Sequence, residues 1–132
     1  MLSASRDRSV RCLSVVRDSR SYELSQGSVE SQSHKLAVEA SSLKLTPATS
    51  MSFSTLRSRD WDDVLTTHAG DRNAHTWTVR NKRMNTAVLN VARSKKSNAV
   101  ATASCMTACG NFALVGTSDG RIEMYNVQSH MH

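Results

Sequence analysis

Aromatic residues are scarce in this 132-residue chain: two Phe, two Trp and two Tyr, 5% of the whole. A core must therefore be assembled from Val, Leu, Ala and Met. Cysteine is scarce too, and its count is odd. Cys12, Cys105 and Cys109 have no framework spacing, which argues against a disulfide-stapled secreted fold and fits reduced thiols in an intracellular protein. No apolar run approaches the roughly 20 residues needed to span a bilayer, so no membrane partner is expected. The stretch from Met1 to Ser14 has no apolar block of the secretory-signal kind. It does carry Arg6, Arg8, Arg11, Arg17 and Arg20 among serines, a composition close to that of a mitochondrial transit peptide. Asp7 and Asp18 interrupt that pattern, and Val10 to Val16 reads as a strand rather than an amphipathic helix.

What is present is enough for one domain with a core of fair size. Hydrophobic residues make up 39% and charged residues 21%, which is lean for a globular chain but not the composition of a disordered one. The net charge of +6 suits a chain that meets polyanions, nucleic acid first among them. A solvated basic surface accounts for the same number.

The clearest pattern lies between Ala99 and Asn126. Ala101, Ala103 and Cys105 alternate with Thr102, Ser104 and Met106, the period of two of a half-buried strand. Thr107 to Asn111 is a turn in which Gly110 is free to take positive φ. Phe112 to Thr117 is a short apolar run, expected to be a strand buried on both faces. Ser118-Asp119-Gly120 is a hairpin signal, and Arg121 to Asn126 alternates again. Strand, glycine turn, apolar strand, Asp-Gly hairpin and alternating strand form the inner three-quarters of a β-propeller blade. The usual closing Trp-Asp of such a blade stands here as Tyr125-Asn126.

The same order recurs upstream. Ala48 to Phe53 is a first strand, ahead of the exposed link Arg57-Ser58-Arg59, and Asp63 to Thr67 a second. A loop at Ala69 to Asn73 leads to a third strand, His75 to Val79, with Trp77-Thr78 at the dipeptide position, and Thr86 to Leu89 supplies the outer strand. Nearer the start, Val10 to Val15 reads as a further third strand with Leu13-Ser14 at the dipeptide position, and Tyr22 to Gln26 as its outer strand. From Trp77 to Tyr125 is 48 residues, and from Leu13 to Trp77 is 64. A 20-residue insertion at 27–46, rich in Ser, Glu and Lys, reduces the second interval to 44. Both fall close to the ~40–45-residue period of WD repeats. The expected organisation is the end of a preceding blade at 1–26 (its third and fourth strands), an exposed insertion at 27–46 forming a short helix or a loop, a complete blade at 47–92, and at 93–132 a blade lacking its outer strand. The fold class is all-β, a partial WD-repeat β-propeller with one full blade flanked by two incomplete ones.

Several segments, in order, resemble one family. They are Ser14 to Asp18 with Glu23 to Gln26, Leu43-Lys44-Leu45, Arg59 to Val64, Ala74 to Trp77, Thr107 to Gly116, and Tyr125 to Ser129. Together, over roughly Arg11 to Ser129, they resemble the WD-repeat subunit of the small-subunit processome, the particle that contains the U3 small nucleolar RNA; it is protein number twenty-one of the UTP-B subcomplex. The resemblance implies a non-enzymatic tandem-propeller scaffold acting in pre-rRNA processing and small ribosomal subunit biogenesis, in the nucleolus. It implies protein partners in a UTP-B-like ribonucleoprotein, with pre-rRNA or snoRNA as a further partner, and neither a cofactor nor a small-molecule substrate. The family's lysine-rich insertion is reduced here to Lys35 and Lys44. With one whole blade and parts of two others, the chain reads as a fragment or truncated copy. A generic WD-repeat adaptor and a short basic nucleic-acid-binding protein are the alternatives.

Candidate sites are few. Lys82 and Arg83 after the Trp77 strand, and Arg93, Lys95 and Lys96 between blades, are candidate phosphate contacts, though no aromatic platform is interleaved with them. Cys105, Cys109, His130 and His132 invite a zinc reading, but His-x-His is too tight for the usual ligand pair and Cys109 already belongs to a turn. Asp60, Asp62 and Asp63 are clustered carboxylates for which solvated charges or local salt bridges are the simpler account. His68 and His75 flank a hairpin without a nucleophile. Catalytic and metal residues are therefore expected to be absent. Trp77 and Tyr125 are read as packing residues between blades, and Gly110, Asp119 and Gly120 as turn positions of the blade.

Overall fold

The computed structural model describes residues 1–27, 29–92, 94 and 97–132. Among these residues ten strands form three antiparallel sheets, none of them closed on itself. The first sheet has the order β1 (Leu2–Ala4), β2 (Val10–Cys12), β3 (Tyr22–Glu23). Helices α1 (Val29–Leu36) and α2 (Ala40–Leu43) follow. A four-stranded meander comes next: β4 (Ala48–Phe53), β5 (Val64–His68), β6 (Asn73–Thr78) and β7 (Arg83–Asn90). The last sheet comprises β8 (Ala101–Met106), β9 (Phe112–Thr117) and β10 (Ile122–Asn126). This is an all-β partial propeller.

Hairpins follow from local sequence. In the β9–β10 turn, Gly120 takes φ +82, a conformation that costs a residue with a Cβ. The first strands of the last two sheets share an irregularity at the same point. Register shifts fall between Ala48 and Ser50 in β4 and between Ala101 and Ala103 in β8. Each such bulge adds local twist at the start of its sheet.

Packing places the four-stranded sheet in the middle. One core joins it to the first sheet through Val10, Leu24, Val64 and Trp77. A second joins it to the last sheet through Leu65, Ala74, Leu89, Val91, Ala101, Met106, Ala113, Val115, Tyr125 and Val127. Strand β5 is buried at all five positions, because Val64 points into one core and the adjacent Leu65 into the other.

Three local expectations are revised. Phe112–Thr117 is not buried on both faces: Ala113, Val115 and Thr117 face inward, whereas Phe112 is exposed and Leu114 half-buried. Among the described residues no further element covers that outer face, on which Ile122 and Met124 are also exposed. The expected strand Val10 to Val15 ends at Cys12. There the Ser14 hydroxyl accepts the amides of Val16 and Arg17, which gives the backbone an alternative to the ladder, and Val15 is 84% exposed. An additional strand, β1, pairs Leu2 with Cys12 and Ala4 with Val10. Between the first two sheets lie α1 and α2, with residues 31–32 and 34–39 exposed.

Candidate interaction surface

The deepest polar feature is a chain of hydrogen bonds running through the middle sheet. The Trp77 Nε1–H donates to Thr66 Oγ1 at 2.7 Å. Thr66 Oγ1 lies 2.9 Å from His68 Nε2, and His68 Nδ1 lies 2.6 Å from the Thr46 carbonyl. One direction satisfies every group: indole to hydroxyl, hydroxyl to Nε2, Nδ1–H to carbonyl. That direction requires a neutral His68. Burial lowers its pKa below the ordinary histidine value, outweighing the Thr46 carbonyl, which acts the other way. Trp77, Thr66 and His68 are all buried, so the chain ties β5, β6 and the segment before β4 into one body.

A second hub is Asp62, just ahead of β5. Its carboxylate accepts Thr76 Oγ1 at 2.6 Å, Thr78 Oγ1 at 2.7 Å and Asn85 Nδ2 at 2.8 Å. His130, beyond β10, approaches the same oxygen at 3.2 Å. Burial works to raise this carboxyl, but the four bonds outweigh it and hold the group below its usual range. Asp63 behaves oppositely. Burial pushes it up, the Val79 amide partly offsets this, and the adjacent Asp62 charge raises it further. The reading of these residues as solvated charges holds for Asp60, which is exposed and pairs with Arg57 at 3.4 Å. It fails for Asp62 and Asp63, each 6% exposed, because the neighbouring strands supply hydroxyl and amide donors that replace water.

The middle and last sheets are joined by a serine ladder. Ser50 Oγ accepts the Ser104 amide at 3.0 Å, and Ser52 Oγ accepts the Met106 amide at 2.8 Å. Ser54 Oγ donates to the Ala108 carbonyl at 3.3 Å. Each pair is 54 residues apart. Side chains of β4 and the loop after it thus satisfy backbone groups of β8 and the turn that follows, on the edge that β9 leaves unpaired. At the end of this ladder Trp61 Nε1 donates to the Gly110 carbonyl at 2.7 Å. Gly110 has φ +72, and a Cβ there would meet Arg57 Cγ and Ser54 Oγ at 3.2 Å. The left-handed backbone favours glycine, and a Cβ would in addition require Arg57 or Ser54 to give way by a few tenths of an ångström.

Other residues singled out from the sequence fall as follows. Trp77 is fully buried among Val10, Leu24 and Val64. Tyr125 is buried in the second core, and its hydroxyl donates to the Asn90 carbonyl at 2.8 Å. Asp119 accepts from Thr117 and Arg121 in the hairpin turn. Lys82, at φ +53, holds its ammonium 4.6 Å from the centre of the Tyr22 ring. Arg83 begins β7 and is exposed. Arg93, Lys95 and Lys96 lie outside the described residues. Cys105 and Cys109 are exposed free thiols, whereas His130 and His132 are drawn to Asp62 and Glu123. Among the described residues no three potential ligands form a metal-holding group. His68 and His75 meet edge to face at 5.5 Å, but the hydroxyl beside them, Thr66, is engaged by Trp77. The serine ladder was missed in the sequence, although Ser50, Ser52 and Ser54 alternate visibly.

A model of the second β-propeller domain of the WDR36/Utp21 family matches residues 1–132. The chain belongs to that family. It is 43% identical over 129 residues to the U3 small nucleolar RNA-associated protein 21 homolog of Schizosaccharomyces pombe, covering 98% of this chain and 14% of that protein. It is 31% identical over 134 residues to human WD repeat-containing protein 36, covering 100% and 15% respectively. Against the Saccharomyces cerevisiae U3 small nucleolar RNA-associated protein 21 the identity is 32% over 130 residues, 98% of this chain and 13% of that protein. The chain thus spans about one-seventh of the relatives it matches.

Proposed function

We propose that this chain is part of a non-enzymatic WD-repeat scaffold in a U3-associated small-subunit processome particle, working through protein contacts of a UTP-B-like subcomplex in the nucleolus. Its role there is to hold partners during pre-rRNA processing. The observation that carries the reading is the full-length match to one propeller domain of a family whose yeast members are named for association with U3 small nucleolar RNA. The Asp62, His68 and Glu123 side chains each serve the fold, which supports a structural rather than a chemical use of those groups. We further assign 47–92 to one complete blade, 1–26 and 93–132 to its two neighbours, and 27–46 to an exposed insertion between blades. Direct RNA contact through Lys82, Arg83, Arg93, Lys95 and Lys96 has less support, since Lys82 is held on the Tyr22 ring.

Epitope-tagged parent protein carrying this segment is expected to concentrate in the nucleolus and to co-sediment with large particles containing U3 RNA. Affinity purification is expected to recover processome proteins. A diffuse cytosolic signal and a purification free of U3 RNA would overturn the reading.

A further inference from the structure

A cleft of about 470 Å³ opens where three loops meet: the link before β5, the β6–β7 turn and the residues after β10. Its lining includes Arg59, Arg80 and Arg83 together with Asn81, Thr86 and Gln128. All three arginines are exposed. Among the described residues none of the three is paired with a carboxylate. Arg80 instead donates to the Arg59 carbonyl at 3.4 Å, which draws two of the loops together.

Two carboxylates, Asp60 and Asp62, share the lining and offset part of this charge, leaving an excess of cationic groups. Asp60, on the wall, is taken by Arg57. Asp62, at the floor, has its lone pairs filled by Thr76, Thr78, Asn85 and His130. Asp62 therefore belongs to a finished hydrogen-bond network, beside which stand three exposed guanidinium groups with no carboxylate partner among the described residues, together with several neutral amides and hydroxyls. Because His130 and Gln128 come from the last sheet and the remaining lining from the middle one, the cleft exists only while the two sheets are docked.

We infer that this cleft binds an acidic segment of a protein partner, its Asp and Glu carboxylates held by Arg59, Arg80 and Arg83. Guanidinium is planar and offers paired donors that match a carboxylate, and the surrounding amides and hydroxyls suit a peptide backbone. A nucleic-acid strand fits less well. Of the two rings in the described lining, Trp61 has its Nε1 bonded to Gly110 and the Arg57 guanidinium 5.5 Å over it, and His130 lies 3.2 Å from Asp62, so both are already engaged by the fold. The nearest lysine, Lys82, is turned to Tyr22. The inference rests on the cleft alone and is independent of the particle in which the protein works.

The test is fluorescence anisotropy of the full chain with a labelled twelve-residue Glu-rich peptide, in parallel with a labelled oligouridylate. The triple variant R59Q/R80Q/R83Q is expected to weaken peptide binding by roughly ten-fold or more. The variant R6Q/R17Q/R20Q, with the same change in net charge at sites away from the cleft, is expected to stay within about two-fold of the parent. R80K/R83K keeps the charge but loses the paired donors, and is expected to bind less tightly than the parent. Hydrogen exchange on the parent adds a readout that needs no variant: peptide should slow exchange at residues 78–86 and 128–130. The proposal is overturned if the cleft variant binds peptide like the parent, if the control variant loses as much, or if those segments gain no protection. Tighter binding of oligouridylate, lost in the cleft variant, would make this an RNA site instead.

Discussion

Replacing Trp77 by Phe tests the polar chain of the middle sheet most directly. The indole is fully buried between the first and middle sheets, and its N–H is the first donor of the series that ends on Thr46. Phenylalanine removes that donor and leaves Thr66 Oγ1 without its incoming bond, at a cost of about 1 kcal/mol. The smaller ring also leaves a void, which adds about 1–2 kcal/mol. A total loss of about 2–3 kcal/mol is therefore expected, a large part of the ~5–15 kcal/mol by which folded domains are stable. Thr66→Val is expected to be at least as harmful, because it strands both the indole N–H and His68 Nε2, each costing about 1–3 kcal/mol. In the double variant no indole N–H remains for Thr66→Val to strand, so the two effects overlap by about 1 kcal/mol. Urea unfolding followed by far-UV circular dichroism, with matched m-values, measures all three losses. A Trp77→Phe loss below about 0.5 kcal/mol, or strict additivity of the pair, would refute the hydrogen-bond chain as a stabilising unit.

Three further outcomes are expected. Gly110→Ala meets both a left-handed backbone and the Arg57 and Ser54 side chains, and should lower stability by roughly 1–2 kcal/mol in the same urea assay. Ser52→Ala removes the acceptor of the Met106 amide, costing about 1–3 kcal/mol, and should speed hydrogen exchange at that amide specifically. For His68 the folded pKa lies below its ordinary value of 6.5, so the unfolded chain binds more protons between the two values. Stability is then full above about pH 6.5 and falls as pH drops through that window. Melting curves from pH 7.5 to 5 should show this slope, and a His68→Gln variant should flatten it.

Much of the architecture was legible because period-two alternation and turn chemistry act locally. Ala48–Phe53 and Ala101–Met106 could be read as strands from their own residues, and Asp119-Gly120 announced a hairpin without reference to anything distant. The errors came where a neighbour decides the outcome. Phe112–Thr117 is as apolar as a doubly buried strand, yet only one of its faces has a sheet against it; the strand buried at every position is β5, although Thr66, Thr67 and His68 are polar. Likewise Asp62 and Asp63 resemble solvated charges until Thr76, Thr78 and Asn85 are brought around Asp62 and the Val79 amide reaches Asp63.

The candidate cleft was legible only in fragments. Arg83 stood out as a basic loop residue, but Arg59 and Arg80 lie 21 positions apart and nothing local joins them. The scarcity of aromatics, the even alternation and the repeat interval by themselves determined an all-β chain of stacked blades with an aliphatic core. The tertiary structure alone decided which charges are buried, which backbone edges the serines of β4 satisfy, and which arginines share a cleft. The physical reason is one of range. Backbone preference and face alternation act over a few residues, whereas burial and charge pairing depend on groups that folding brings together from distant parts of the chain.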